Sequence, residues 1–177
     1  IIYIALTGLE IIFLLLGKMN LYESVCHAFG TVATGGFSPK NTSIGNYSPY
    51  IQYVITLFMF MAGVNFVLYY HVVKGNFTKI RRNEEFWFYL KFVIIATLFT
   101  TAILFFKTDR PFEQSFRDAI FQVVSLITCT GFASSDYMLW PVVGWVFMFI
   151  LLFVGGSTGS TAGGIKIARH VIAFKNL

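Results

Sequence analysis

Little of this sequence is charged. Asp, Glu, Lys and Arg make up 12% of its 177 residues, against 56% hydrophobic and 19% aromatic, and the mean hydropathy is +0.72. That balance excludes an ordinary water-soluble domain and reads as a membrane protein. Cysteine is nearly absent. Cys26 and Cys129 supply neither a disulfide framework nor a metal site, and they read as packing residues. Histidine is as sparse: His27, His71 and His170 lie far apart, with no metal-ligand spacing. The formal charge of +5 is no sign of nucleic acid, because the basic residues gather at the ends of apolar runs as the positive-inside bias requires. A starting Met and a charged leader with a cleavage site are both missing, so no signal peptide is read. The sequence opens inside one apolar run and stops just past another, as expected of a piece cut from a longer membrane protein.

What is present is a series of apolar runs separated by glycine turns. Ile1 to Gly17 is apolar apart from Glu10 and reads as a transmembrane helix, although 17 residues rise only ~25 Å. Asn20 then caps a shorter helix to about Thr31, with Glu23 three residues on as in a capping box. At roughly 18 Å this helix enters a membrane without crossing it, so the chain turns back. After the polar loop Ser38 to Ser48, Ser48-Pro49 opens a run to Val73, long enough to span and expected to be unbroken despite Gly63. A basic linker (75–85) leads to a full span from Phe86 to Phe106. Ser115 is then expected to cap another short helix, with Asp118 three residues later.

The turns that end the two short helices are the centre of the reading. The first is Val32-Ala33-Thr34-Gly35-Gly36-Phe37-Ser38, and the second, 95 positions on, contains Thr128-Cys129-Thr130-Gly131-Phe132. The same offset carries Asn20 onto Ser115 and Glu23 onto Asp118, which implies a duplicated unit of helix, re-entrant half-helix, loop and helix. Non-helical backbone at membrane depth is tolerated only where it is buried in protein or lines a wet cavity. A dehydrated cation needs oxygen ligands, which rings of backbone carbonyls supply in potassium filters. Aligning those carbonyls takes backbone angles that glycine reaches cheaply, so the demand is expected at Gly35, Gly36 and Gly131. Thr34, Thr128 and Thr130 can add hydroxyl oxygen. Each half-helix ends at its turn, and its C-terminal dipole favours a cation there. The candidate filter is therefore Val32, Ala33, Thr34, Gly35, Gly36, Thr128, Cys129, Thr130 and Gly131. The plainer alternative is a pair of glycine turns that merely reverse a buried chain.

A third glycine-rich stretch follows the last apolar run. Trp140-Pro141 opens a helix expected over Val142 to Val154, roughly 20 Å and short of a full span. Then come Gly155, Gly156, Ser157, Thr158, Gly159, Ser160, Thr161, Ala162, Gly163 and Gly164, followed by Ile165 and Lys166. Small polar residues that interrupt a membrane helix form sites or gates in transporters. A nucleotide phosphate loop is excluded, because Ile165 separates Gly164 from Lys166 and an apolar helix, not a strand, precedes it. An exposed linker remains the other reading. Charge sets the orientation. Lys74, Lys79, Arg81, Arg82, Lys91, Lys166, Arg169 and Lys175 mark the cytoplasmic face. Lys18, Lys40, Lys107, Arg110 and Arg117 lie with the glycine turns on the outer face.

Together these residues resemble the Trk/Ktr/HKT superfamily of potassium transporters, over essentially the whole chain. Thr34-Gly35-Gly36-Phe37-Ser38 resembles the filter of the family's second repeat, and Thr130-Gly131-Phe132 that of the third. Gly155 to Lys166 resembles the intramembrane loop that obstructs the pore below the filter. The resemblance implies an all-α membrane protein of tandem helix–pore-loop–helix repeats whose last helix is broken by a Gly-rich loop. The repeats fall at 1–74 and 86–177, the central two of four, with the gate loop at 155–166. It also implies K⁺ as the transported ion, no covalent cofactor, and a multi-pass place in the plasma membrane. Implied partners are the remaining two repeats of the same polypeptide, a second copy in a homodimer, the lipid bilayer, and a cytoplasmic nucleotide-binding regulatory ring.

Two other function classes compete. An intramembrane enzyme would use Glu10 or Asp118 as acid and base, and needs ionisable groups converging within hydrogen-bond reach. A broken-helix secondary carrier for another ion or a small solute, if the solute were anionic, would present helix N-termini at its site, whereas these half-helices present C-termini.

Overall fold

The computed structural model describes residues 1–108 and 110–175, and among them the chain is helical. The order is α1 (Ile2–Leu16), α2 (Leu21–Val32), α3 (Pro49–Ala62), α4 (Phe66–Val73), α5 (Phe77–Arg81), α6 (Glu84–Lys107), α7 (Phe112–Ile127), α8 (Val142–Leu151) and α9 (Ile167–Lys175). A 3₁₀ turn at Tyr137–Leu139 precedes α8. Helix α6, with a mean hydropathy of 2.0 over its central window, is long and apolar enough to cross a membrane. The pair α3 and α4 passes the same test only if its bend is ignored.

Local signals set most boundaries. Asn20 caps α2 by accepting the Tyr22 N–H, and Ser48 caps α3, whose first residue is Pro49. Asn83 caps α6 by accepting the Phe86 N–H at 2.8 Å. Five expectations are corrected. Glu23 closes no capping box; it is drawn out to Lys40 at 3.1 Å and to the Tyr47 hydroxyl at 2.9 Å. Ser115 caps nothing, because Pro111, with its fixed φ and no N–H to satisfy, starts α7 one turn earlier. Helix α8 stops at Leu151 rather than Val154, and the linker 75–85 contains the short helix α5.

The fifth correction matters most for the site. The run from Tyr50 to Val73 is not continuous: α3 and α4 meet at 97° across Gly63-Val64-Asn65. A Cβ on Gly63 would stand 2.4 Å from the Tyr89 hydroxyl, so the backbone turns where α6 approaches it. Asn65 restarts the helix by accepting the Val67 N–H at 2.8 Å. The backbone groups freed by the break do not go dry. The Gly63 carbonyl accepts the Ser157 N–H at 2.9 Å, and the Phe66 N–H donates to the Gly159 carbonyl at 3.1 Å.

Around this joint the core closes. Helix α6 packs along α7, α1 along α2, and α3 against both α2 and α7. Tyr89 is fully buried, stacked on Phe60 at 4.9 Å, with its hydroxyl donating to the Phe60 carbonyl. The helices α2 and α7 thus pack against α1, α3 and α6, their C-terminal ends held towards one another.

Candidate functional site

The two glycine turns are built alike, bond for bond, at an offset of 95 positions. Gly35 and Gly36 both donate to the Gly30 carbonyl, at 2.8 and 3.2 Å; Thr130 and Gly131 both donate to the Ser125 carbonyl, at 2.9 and 3.3 Å. Thr34 N–H reaches Thr31, and Cys129 N–H reaches Leu126, each at 3.0 Å. Thr34 and Cys129 both take a left-handed conformation, with φ of 51° and 56°, and Gly36 and Gly131 follow at 67° and 86°. Gly35 does not, which explains why Thr130 can stand in its place: the conformational demand falls on the positions either side. Non-glycine residues held left-handed cost of order 1–3 kcal/mol and cluster at functional sites.

These bonds use the turns' N–H groups and leave most of the carbonyls free. Among the described residues, the carbonyls of Thr34, Gly35, Gly36, Cys129, Thr130 and Gly131 accept no hydrogen bond from the protein. The turns also touch. A Cβ on Gly36 would lie 1.9 Å from the Thr130 carbonyl oxygen, so only glycine lets the first turn come against the second. The Thr130 carbonyl therefore lies against the backbone of the first turn, at the C-terminal ends of α2 and α7, where the helix dipoles concentrate negative potential.

Beneath them lies the glycine-rich loop. Its neck closes where the Gly155 N–H donates to Ile165 at 2.9 Å. Its far side is hydrogen-bonded to the first turn. Thr161 Oγ1 lies within donating distance of the Val32 carbonyl at 3.0 Å and the Ala62 carbonyl at 3.2 Å, and the Thr161 carbonyl accepts from Thr34 Oγ1 at 2.9 Å. Cys129 of the second turn lies against Gly163 and Gly164. The structure thus brings together all three stretches singled out in the sequence. Within the loop, Lys166 Nζ donates to the Ala162 carbonyl and folds the loop on itself. Ser157 and Gly159 occupy the α3–α4 break, as described above.

Several residues at the site had not stood out in the sequence. Glu85, in the first turn of α6, accepts both the N–H and the hydroxyl of Thr158, the latter at 2.8 and 3.0 Å. His27, buried in α2, donates from Nδ1 to the Glu23 carbonyl at 2.7 Å, which leaves Nε2 to accept from Ser38 Oγ at 3.0 Å and ties the exit of the first turn to its half-helix. Asn65 caps α4 beside Gly159. The spacing that could have disclosed the α3 break was in view: Pro49 to Gly63 equals Pro141 to Gly155. Above the turns, the Lys40 ammonium and Tyr47 hydroxyl hold the Glu23 carboxyl below its ordinary range, and Lys40 is raised in turn.

The acid–base pair required of an enzyme is not assembled. Asp118 pairs with Arg110 at 3.3 Å, while Glu10 is wholly buried in α1 with neither carboxyl oxygen hydrogen-bonded. Among the described residues no three His, Cys, Asp or Glu side chains gather as a metal site would require.

The chain is similar to known cation transport proteins. The family described as TrkH, cation transport protein, matches residues 2–177. The chain is 36% identical over 175 residues to the Trk system potassium uptake protein TrkI of Halomonas elongata, covering 98% of this chain and 35% of that protein. It is 32% identical over 178 residues to the Trk system potassium uptake protein TrkH of Escherichia coli, covering 99% and 37%. The crystal structure of the potassium transporter TrkH from Vibrio parahaemolyticus superposes with a TM-score of 0.92 at 28% identity, over 98% of this chain and 38% of that one. The chain therefore spans little more than a third of the length of these relatives.

Proposed function

This chain belongs to the TrkH family of cation transport proteins, and from that premise we propose that it supplies two of the pore-loop units of a potassium uptake transporter. The filter spans Val32 to Gly36 and Thr128 to Gly131, and its free carbonyls form part of a ring that replaces the water shell of K⁺; the Val32 and Ala33 carbonyls accept the Thr161 and Thr34 hydroxyls and support the turn. The loop Gly155–Lys166 gates the path beneath them. The observation that supports this reading is the seating of Gly36 against the Thr130 carbonyl, which brings the two turns into contact at the C-terminal ends of α2 and α7. The units run from 1 to 74 and from 86 to 177. The rest of the ring comes from further units of the same polypeptide.

The fitting environment is the plasma membrane, crossed several times, with the glycine turns outward and the basic α5 segment in the cytoplasm. That segment and the Arg169 end form the face that meets a cytoplasmic nucleotide-binding regulatory ring, and two transporters pair in the bilayer. Enzymatic chemistry is not part of the proposal, since the family is one of transporters, Asp118 is paired with Arg110, and Glu10 is buried without a partner acid or base. A carrier for anions is disfavoured by the half-helix C-termini at the site.

Cation flux through the full-length transporter tests the filter. Gly36→Ser and Gly131→Ser are expected to weaken discrimination of K⁺ over Na⁺, and unchanged selectivity in both variants would defeat the assignment. Deleting residues 159–163 should raise flux; an unchanged rate would make the loop a passive linker.

A further inference from the structure

The two turns share a backbone but differ in what covers them. Phe132, just past the second turn, is fully buried: its ring lies 5.7 Å from that of His27, and its tip is 3.1 Å from where a Cβ of Gly30 would be. It is a knob from one unit set into a glycine notch on the half-helix of the preceding unit. Phe37, its counterpart in the first turn, is 82% exposed. The glycines differ the other way. Gly36 is seated on the carbonyl of the following unit, whereas a Cβ on Gly131 would meet nothing within 4 Å.

We propose that Phe37 and Gly131 are the two open ends of a head-to-tail interlock through which this pair joins further units of the same pattern. Phe37 enters the notch of a preceding half-helix, and Gly131 is seated on the turn carbonyl of a following one. The inference rests on the pore-loop reading above and adds the contacts that would close the ring. An interface that repeats one contact head to tail closes when the rotation between units allows it. The notch that receives Phe37 must carry glycine, or a residue as small, at the place of Gly30. The second half-helix has Ser125 there, and its hydroxyl donates to the Phe132 carbonyl at 2.6 Å, so its notch is already filled. The unit that follows therefore makes the glycine–carbonyl contact without a matching aromatic knob.

The test uses the full-length transporter carrying Phe37→Cys, Phe132→Cys or Lys40→Cys, with the labelling of the unsubstituted protein subtracted, and a membrane-impermeant maleimide. Lys40→Cys reports an exposed loop. Phe37→Cys is expected to label roughly tenfold more slowly or less, close to Phe132→Cys, because burial requires opening before reaction. Labelling of Phe37→Cys at the Lys40→Cys rate overturns the interlock. A second measurement covers variants that fold poorly: Phe37→Ala is expected to lower the thermal midpoint as far as Phe132→Ala, and an unchanged midpoint also overturns it. Neither readout depends on which ion crosses. A failed selectivity experiment with a protected Phe37 would thus remove the filter assignment and leave the interlock.

Discussion

The contact between Glu85 and Thr158 gives the most quantitative handle on the glycine-rich loop. Both oxygens of the carboxylate are engaged, one by the Thr158 N–H and both by its hydroxyl. Hydrogen bonds to a charged group contribute about 1.5–3 kcal/mol each. Thr158 is only half-buried, so the lower part of that range applies, and two such bonds come to about 3–4 kcal/mol. At about 1.4 kcal/mol per factor of ten, Glu85→Ala should shift the ratio of released to docked loop by roughly 140- to 700-fold. The assay is rubidium uptake by the full-length transporter in cells lacking other potassium uptake, paired with maleimide labelling of Ser160→Cys. Both rates should rise with K⁺-over-Na⁺ selectivity unchanged. Thr158→Val in the same background should add little to Glu85→Ala, since the two remove one interaction. Uptake that falls while Ser160→Cys labels at its original rate would refute the clamp.

Three further outcomes follow from the geometry. Thr161→Val keeps the side chain's shape and removes the donor shared between the Val32 and Ala62 carbonyls, so uptake should rise with a stability loss of about 1–3 kcal/mol, read from the thermal midpoint. Gly63→Ala forces Tyr89 from its place and should cost more than the same change at Gly8, where a Cβ meets nothing within 4 Å; Tyr89→Phe should restore part of the loss. Glu23, whose carboxyl is lowered by Lys40 and Tyr47, stabilises the outer loop above the ordinary carboxylate pKa of about 4.3 and loses that contribution as pH falls through its lower folded value. Lys40→Met should therefore flatten the fall of the thermal midpoint as pH drops below the ordinary carboxylate value of about 4.3.

The sequence disclosed the parts whose cause is local. Asn20, Ser48-Pro49 and Trp140-Pro141 mark helix starts through chemistry confined to a few residues, and the glycine turns were legible because they occur twice. Features decided by a distant neighbour stayed hidden. Gly63 breaks its helix because Tyr89, 26 positions on, fills the space a Cβ would need, and because Ser157 and Gly159 take up the freed backbone. Glu23 forms a good capping box on paper, but Lys40 and Tyr47 outbid the backbone for its oxygens. Glu85 carried no motif at all. Its partner, 73 positions away, could be identified only once α6 and the loop were brought together.

The break between α3 and α4 makes the loop's movement a matter of hydration. While the loop is seated, Ser157 and Gly159 stand in for the solvent that the Gly63 carbonyl and the Phe66 amide would otherwise require. Lifting it away strips both groups at once, in surroundings where a bare amide or carbonyl is expensive. The passage must therefore flood as it opens. Osmolytes that lower water activity should slow it, and each water drawn in to satisfy those two backbone groups is one that an arriving cation finds already there.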